Sequence, residues 1–225
     1  MSNLGNHFND EAEKFDKTVH ITIPRYEEMT DVLISCIPYD NEDIKVLDLG
    51  CGTGNITMKV LERFPNAHVT CLDISENMLG LAKRKLASYD SIEYVLGDFT
   101  IIDIIDSYDV IISSLALHHI TTDEAKLDMY QHIYDALNEG GVFYNADVVK
   151  SNSEYLEQLN ESVFMEFMKS NGLSQDEIDA HKQKRHANDF PITLTKHIQL
   201  MQKVGFTDAE VIWKYCSNAI YGASK

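Results

Sequence analysis

The sequence predicts an α/β protein. Its centre is a seven-stranded, mostly parallel sheet with an antiparallel last strand, helices on both faces and a helical lid insertion. Three observations predict it. Short β-branched runs alternate with helical patterns from Ile44 to Val149, the rhythm of right-handed βαβ crossovers. A glycine-rich turn follows the first run directly. The last two strand-like runs are joined only by Ser217-Asn218, too short a link for a crossover, so they form an antiparallel hairpin.

The elements follow in order. The first twenty residues are polar with isolated aromatics, Phe8 and Phe15, and read as a partly ordered arm. Pro24 opens a helix whose apolar stripe is Tyr26, Met29, Val32, Leu33 and Ile37; proline suits a first turn because its missing N–H has no partner there. Strands are predicted at Lys45–Leu49, His68–Leu72, Ile92–Leu96, Asp109–Ser113 and Gly141–Ala146, and helices at Thr53–Phe64, Glu76–Ala87 and Asp123–Leu137. Thr121-x-x-Glu124, Ser151-x-x-Glu154 and Ser174-x-x-Glu177 read as capping boxes, in which each side chain satisfies an orphan N–H of the first turn. The latter two open helices over Glu154–Ser170 and Gln175–Ala187, with Asn171-Gly172 as the stop between them. This pair interrupts the alternation and reads as the lid. A helix at Leu194–Val204 closed by Gly205, then strands at Ala209–Tyr215 and Ala219–Ser224, complete the chain. The 225 residues form a single domain: 1–43 arm and first helix, 44–149 ligand-binding core, 150–190 insertion, 191–225 final helix and hairpin.

Composition narrows the function. The net charge is −17, and so acidic a surface repels phosphate backbones and anionic membranes at long range. Neither nucleic acid nor a membrane is an expected partner; a small-molecule substrate is, and a homodimer is an admissible assembly. No apolar run approaches the ~20 residues of a membrane span. Met1–Asp10 lacks a basic-then-apolar pattern, and Cys36, Cys51, Cys71 and Cys216 are scattered without a Cys-x-x-Cys pair. A reducing cytoplasm is therefore expected.

The strongest motif is Val46-Leu47-Asp48-Leu49-Gly50-Cys51-Gly52-Thr53-Gly54. Glycines between a strand and a helix let a ligand approach the backbone closely. The spacing is not that of a dinucleotide fingerprint, and Asp48, two residues before Gly50, would repel a pyrophosphate. It suits a ligand presenting an ammonium and no phosphate. Asp73 lies 19 residues beyond Gly54, at the end of the second strand, where a carboxylate accepts ribose hydroxyls; its plainer reading is a helix N-cap. Asp98, in Gly97-Asp98-Phe99, ends the third strand. It is placed to accept from an adenine amine, with Phe99 or Ile74 packed on the ring. All three acids fall at carboxyl ends of parallel strands, where open α/β sheets bind ligands.

At these residues the sequence resembles the class I S-adenosylmethionine-dependent methyltransferases, which are Rossmann-like. The glycine segment matches their first motif, Cys71-Leu-Asp73-Ile-Ser-Glu-Asn-Met78-Leu their second, Gly97-Asp98-Phe99 their third and Leu137-Asn-Glu-Gly140-Gly141-Val142 their fifth. The resemblance implies S-adenosyl-L-methionine as cofactor. Gly50 and Gly52 would face its methionine part, Asp73 the ribose, and Asp98 and Phe99 the adenine; Asp48 would orient the loop or contact the amino group. Cys51, Ile74, Met78 and Ser114 complete the expected set. A closer likeness, through Phe15-Asp16-Lys17, Pro24-Arg25-Tyr26, Gln183-Lys184-Arg185 and the terminal hairpin, is to the carboxy-S-adenosylmethionine synthases. These use prephenate to turn the cofactor's methyl into a carboxymethyl group. It implies that Arg185 reaches the added carboxylate and that Tyr26 lines the site. Those enzymes carry Asn and Gln where Ser114 and His118 align here.

The fourth strand ends in Ser113-Ser114-Leu-Ala-Leu-His118-His119. Imidazole titrates near neutrality, so His118 or His119 is the candidate base for an attacking group, the alternative being a polar loop residue and a packing residue. No metal centre is expected, since His181 and His186 are five apart and miss a common helix face. The basic cluster His181–His186 favours an anionic small molecule, with Arg185 as its fork, unless Arg185 pairs with Glu177 or Asp189. The expected activity is methyl transfer to a small-molecule acceptor. The alternatives are a carboxymethyl cofactor synthase and a non-catalytic cofactor-binding protein.

Overall fold

The computed structural model describes residues 3–40, 43–102, 104 and 107–225. Its elements are α1 (Asn3–Thr22), α2 (Tyr26–Ser35), β1 (Lys45–Leu49), α3 (Asn55–Arg63), β2 (His68–Asp73), α4 (Glu76–Lys85), β3 (Ile92–Leu96), β4 (Tyr108–Ser114), α5 (Asp123–Ala136), β5 (Leu137–Val148), α6 (Glu154–Ser170), α7 (Gln175–Asn188), α8 (Leu194–Val204), β6 (Thr207–Tyr215) and β7 (Asn218–Ser224). A 3₁₀ turn at Leu117–His119 follows β4.

The strands form one sheet in the order β3-β2-β1-β4-β5-β7-β6. The pairs β1–β2, β1–β4, β2–β3 and β4–β5 are parallel. β7 runs antiparallel between β5 and β6, so the reversed last strand is inserted rather than left at the edge. The order reverses between β1 and β4, and ligands bind open sheets outside the strand ends at such a point.

Alternation along the strands sends side chains to opposite faces. Val46, Val110 and Ile112 join Met29, Leu33, Ile56, Val60, Leu79 and Ala82 in one buried cluster. Leu47, Leu49, Ile111 and Phe143 join Met129, Tyr130, Ile133, Leu200 and Met201 in the other. Helices α2, α3 and α4 thus cover one face, and α5 and α8 the other.

Five local expectations need correction. The N-terminal arm is a helix, α1, held where Asp16 accepts from Thr53 Oγ1 (2.5 Å) and Asn55 Nδ2 (3.0 Å) and pairs with Lys85 (2.8 Å); tertiary bonds supply what its own sequence lacks. The helix after Pro24 starts at Tyr26, because Arg25 takes a left-handed φ of 59°. The cap of α5 is Thr122, not Thr121, accepting from Ala125 N–H at 3.1 Å. The cap of α6 is Ser153, while Ser151 takes Glu157 and Asn160 as partners. The Ser174–Glu177 box forms as predicted. The final turn is centred one residue early, with Cys216 at φ 52° and Asn218 already in β7.

Candidate functional site

A cavity of about 260 Å³ opens at the carboxyl ends of the parallel strands. Gly50, Cys51 and Gly52 form its floor, and Asp73, Ile74, Met78, Asp98 and Phe99 one wall. The opposite wall is Phe15, Tyr26, Ser114, Leu115, Ala116 and His119.

The glycines are required where they stand. Gly50 has a φ of +70°, and a Cβ there would sit 2.5 Å from the Ala116 Cβ. Gly52, at φ +55°, would aim a Cβ towards Phe15, into the space that a ligand's backbone contact needs. Gly50 N–H and Cys51 N–H both donate to the Leu72 carbonyl, at 2.8 and 3.1 Å, which docks the loop on the end of β2.

Asp73 is buried with both oxygens engaged: Oδ2 accepts from Gly52 N–H and Oδ1 from Ser75 N–H, each at 2.8 Å. Burial raises its pKa above the ordinary carboxylate value. The cap of α4 is Ser75, accepting from Met78 N–H at 3.1 Å, so Asp73 shapes the turn before the helix and still faces the cavity. Asp98 accepts from the N–H and hydroxyl of Thr100 at 2.9 and 2.6 Å.

Asp48 does not line the cavity. It is buried under the loop, and Oδ2 accepts from Thr57 Oγ1 at 2.6 Å. Burial pushes its pKa up to about 7 against the Thr57 bond. Of the two roles expected for it, the geometry is that of a loop support.

The histidines separate. His118 is buried away from the cavity; Nδ1 pairs with Asp147 Oδ1, and its backbone N–H donates to Asp147 Oδ2 at 3.0 Å. Burial opposes its charge, but the Asp147 and Asp189 carboxylates outweigh it and bring the pKa to about 9. His118 does not line the cavity and its ring is tied to Asp147, so it is not placed to take a proton from an acceptor there, and its candidacy as the base is corrected. His119 lines the cavity. Its Nδ1 contacts the Asn188 carbonyl at 3.0 Å, and burial followed by the neighbouring His118 charge lowers its pKa to about 4.

Tyr26 lies in the cavity wall as expected, whereas Arg185 does not. Arg185 Nε stands 3.6 Å from Asp189 Oδ2, and its guanidinium lies 5.1 Å from the Phe164 ring centre. Among the described residues, none from α6 or α7 lines the cavity, and neither does any Lys or Arg. The wall across from the glycines comes instead from α1, α2 and the turn after β4. Sequence reasoning missed Asp147 and Asp189, the partners of the histidines. Asp147 left a trace, as a polar residue with Asn145 in an otherwise apolar strand. Asp189 left none.

The chain is similar to proteins of known kind. Residues 46–141 match a family model described as a methyltransferase domain. A carboxy-S-adenosyl-L-methionine synthase of Nitratiruptor sp. is 30% identical over 227 aligned positions, covering 95% of this chain and 90% of that protein. One of Nautilia profundicola is 25% identical, covering 95% and 92%. Among solved structures, magnesium protoporphyrin IX methyltransferase from Synechocystis, with S-adenosylhomocysteine bound, aligns over 99% of this chain and 98% of its own, at 18% identity and a TM-score of 0.69.

The residues present fit S-adenosylmethionine. The glycine floor leaves room that a Cβ would fill, Asp73 stands at a strand end, and Ser114 Oγ is buried in the wall with no hydrogen-bond partner among the described residues. The cofactor is S-adenosyl-L-methionine. No helix among the described residues is long and apolar enough to cross a membrane. By its whole-length similarity, the chain belongs to the class I S-adenosylmethionine-dependent methyltransferase family, in the branch that holds the carboxy-S-adenosyl-L-methionine synthases.

Proposed function

We propose that this protein transfers the methyl group of S-adenosylmethionine to a small-molecule acceptor. When bound, the cofactor supplies a sulfonium methyl that is open to a nucleophile. The observation that carries the reading is the lining of the cavity. It is of small-molecule size, and no Lys or Arg stands among its described residues. An anionic acceptor, or the added carboxylate of a carboxylated cofactor, would be buried there with no Lys or Arg of the lining to pair it, only the cofactor's own sulfonium, which is costly.

In this reading Gly50 and Gly52, lacking side chains, let the methionine part lie close against the loop backbone, whose N–H groups at these two residues are held by Leu72 and Asp73. Asp73 accepts from the ribose on lone pairs left beside its two backbone bonds, and Asp98 and Phe99 hold the adenine, with Ile74 and Met78 completing that wall and Cys51 the floor. Asp48 braces the loop from beneath. Phe15, Tyr26 and Leu115 exclude water from the acceptor end, and water exclusion strengthens every polar contact inside. His119 is neutral at physiological pH and orients the acceptor by a hydrogen bond; so weak a base suits an acceptor that needs no strong one.

The second reading, a carboxy-S-adenosylmethionine synthase, is favoured by the whole-length relatives and by Tyr26 in the wall. Mass spectrometry of the protein equilibrated with equal amounts of plain and carboxylated cofactor decides between them. Retention of the plain form supports methyl transfer; retention of the carboxylated form overturns it in favour of the synthase.

A further inference from the structure

Behind the cavity wall, three potential metal-ligand groups converge: His118, His119 and Asp189, with one donor atom from each within 4.8 Å of the others. They come from two distant segments, the 3₁₀ turn after β4 and the residue that ends α7. We propose that they form a binding site for one borderline divalent cation of the zinc class.

The spacing is the first argument. Asp189 Oδ1 lies 3.5 Å from His118 Nε2 and 3.5 Å from His119 Nδ1. Those separations are long for hydrogen bonds, which fall at about 2.7–3.2 Å. They are close to the edge of a tetrahedron, about 3.3–3.4 Å, whose corners are N and O ligands about 2.0–2.1 Å from a zinc ion. One oxygen equidistant from two imidazole nitrogens at this distance is placed as a ligand shared with both by one ion would be.

The support around the donors is the second. His118 turns Nδ1 onto Asp147, whose other oxygen also takes the His118 backbone N–H. A carboxylate on the far nitrogen fixes the ring and raises its donor strength, the usual companion of a metal-ligating histidine. Asp189 Oδ2 is engaged by Arg185 at 3.6 Å, which leaves Oδ1 as the single ligand oxygen. The Asn188 carbonyl, 3.0 Å from His119 Nδ1, loses that partner when an ion binds the nitrogen and stands within reach as a further oxygen ligand.

Charge and access agree. Asp147 and Asp189 supply two negative charges to balance a divalent ion. The side chains of His118, His119 and Asp189 are only 6%, 13% and 13% exposed, as a site shielded from bulk water requires. His119 also lines the cavity, so the ion would sit behind the acceptor end and pin the turn after β4 to the end of α7. Two histidines and one carboxylate are a donor set for zinc and non-haem iron rather than for magnesium or calcium.

Cobalt(II) titration of chelator-treated full-length protein tests this, with zinc displacing the cobalt and calorimetry giving the stoichiometry. The expected result is one ion per chain with the intense visible absorption of a tetrahedral cobalt site. Asp189→Asn and His119→Gln should each weaken zinc binding by more than about 100-fold. Asp147→Asn should weaken it by about 10- to 100-fold, the range for a residue that supports a ligand. Circular dichroism and S-adenosylmethionine calorimetry on the same samples report folding and cofactor binding independently. If Asp189→Asn does not fold, His119→Gln carries the test. No saturable cobalt or zinc binding, or binding that survives in the folded variants, overturns the site and leaves an ion-free cluster of one imidazolium between two acids. Loss of cofactor binding in the wild type would instead count against the function proposed above and leave the metal site standing.

Discussion

The wall at the ends of β1, β2 and β3 holds its polar groups by bonds within and between its own strand-end motifs, and the wall across from it by bonds from segments outside those motifs. Asp73 is fixed by Gly52 and Ser75, and Asp98 by Thr100. On the other side His118 depends on Asp147, His119 on Asn188, and α1 on the bonds from Thr53, Asn55 and Lys85 to Asp16. The first wall is written in a few adjacent motifs and fits the cofactor that the whole family uses. The second is assembled only when the chain has folded. It also contains Ser114 and is backed by His118, where the sequence departs from the synthases it resembles.

The broadest expected effect, on stability and cofactor affinity together, comes from Gly50, which joins the two walls. Gly50→Ala places a Cβ 2.5 Å from Ala116 at a φ of +70°. Backbone strain and overpacking each cost about 1–3 kcal/mol. Urea unfolding should show a loss of about 2–5 kcal/mol, and calorimetry a cofactor affinity reduced by more than about 100-fold. A variant with wild-type stability and affinity would mean that the walls are not coupled through this glycine.

Asp73→Ala acts on the cofactor wall alone. Hydrogen bonds to a charged acceptor contribute ~1.5–3 kcal/mol each, so losing the two to the ribose should weaken S-adenosylmethionine binding by about 3–6 kcal/mol. Asp98→Ala should cost much less, about 1–2 kcal/mol, through one contact to the adenine amine. Equal losses in the two variants, measured by calorimetry, would contradict the assigned roles.

How far the sequence could be read follows the same division. β1 and β3 match their predicted bounds, Lys45–Leu49 and Ile92–Leu96, and so do α6 and α8, because apolar periodicity and turn residues are local signals. The cofactor-side residues Gly50, Gly52, Asp73, Asp98 and Phe99 all line the cavity as the motifs imply. What failed was non-local. α1 has few apolar signals of its own and is fixed by Lys85, Thr53 and Asn55. His118 and His119 are adjacent in sequence, yet one is a buried imidazolium and the other a neutral wall residue. Their difference is set by Asp147 and Asp189, far along the chain, which no spacing rule connects to them. The lid expected from Glu154–Ala187 contributes no lining residue among those described, because α1 and α2 occupy that side.

Asp48 offers a pH test of the boundary between the walls. Burial raises its folded pKa to about 7, from 3.8. The sign follows from linkage: a carboxyl raised on folding gives stability that is full below pH ~4 and is lost as pH rises through about 7. Binding of a cationic cofactor should move the other way. Ionised Asp48 lies beneath the glycine loop, so affinity should rise by about 3- to 10-fold between pH 6 and 8, consistent with roughly 1 kcal/mol of attraction in a partly screened setting. Asp48→Asn should flatten both profiles. A wild-type affinity independent of pH over that range would show that Asp48 only braces the loop.

The smallest effect is expected at Arg185. Its guanidinium is 3.6 Å from Asp189 and 5.1 Å from the Phe164 ring centre, outside the cavity. An ion pair of this exposure and a cation–π contact each contribute at most about 1 kcal/mol. Arg185→Ala should therefore lower stability by about 1 kcal/mol or slightly more, and Arg185→Lys by less, since the charge beside Asp189 remains. Affinity for plain S-adenosylmethionine should change less than about two-fold in either variant. The informative comparison is with carboxylated cofactor. If Arg185→Ala abolishes binding of that form while the plain form is unaffected, the side chain must leave Asp189 and enter the cavity. The acceptor wall would then contain the cation that its lining lacks, and the synthase reading would displace methyl transfer to a small molecule. If neither form responds, the guanidinium is a surface brace between α7 and α6.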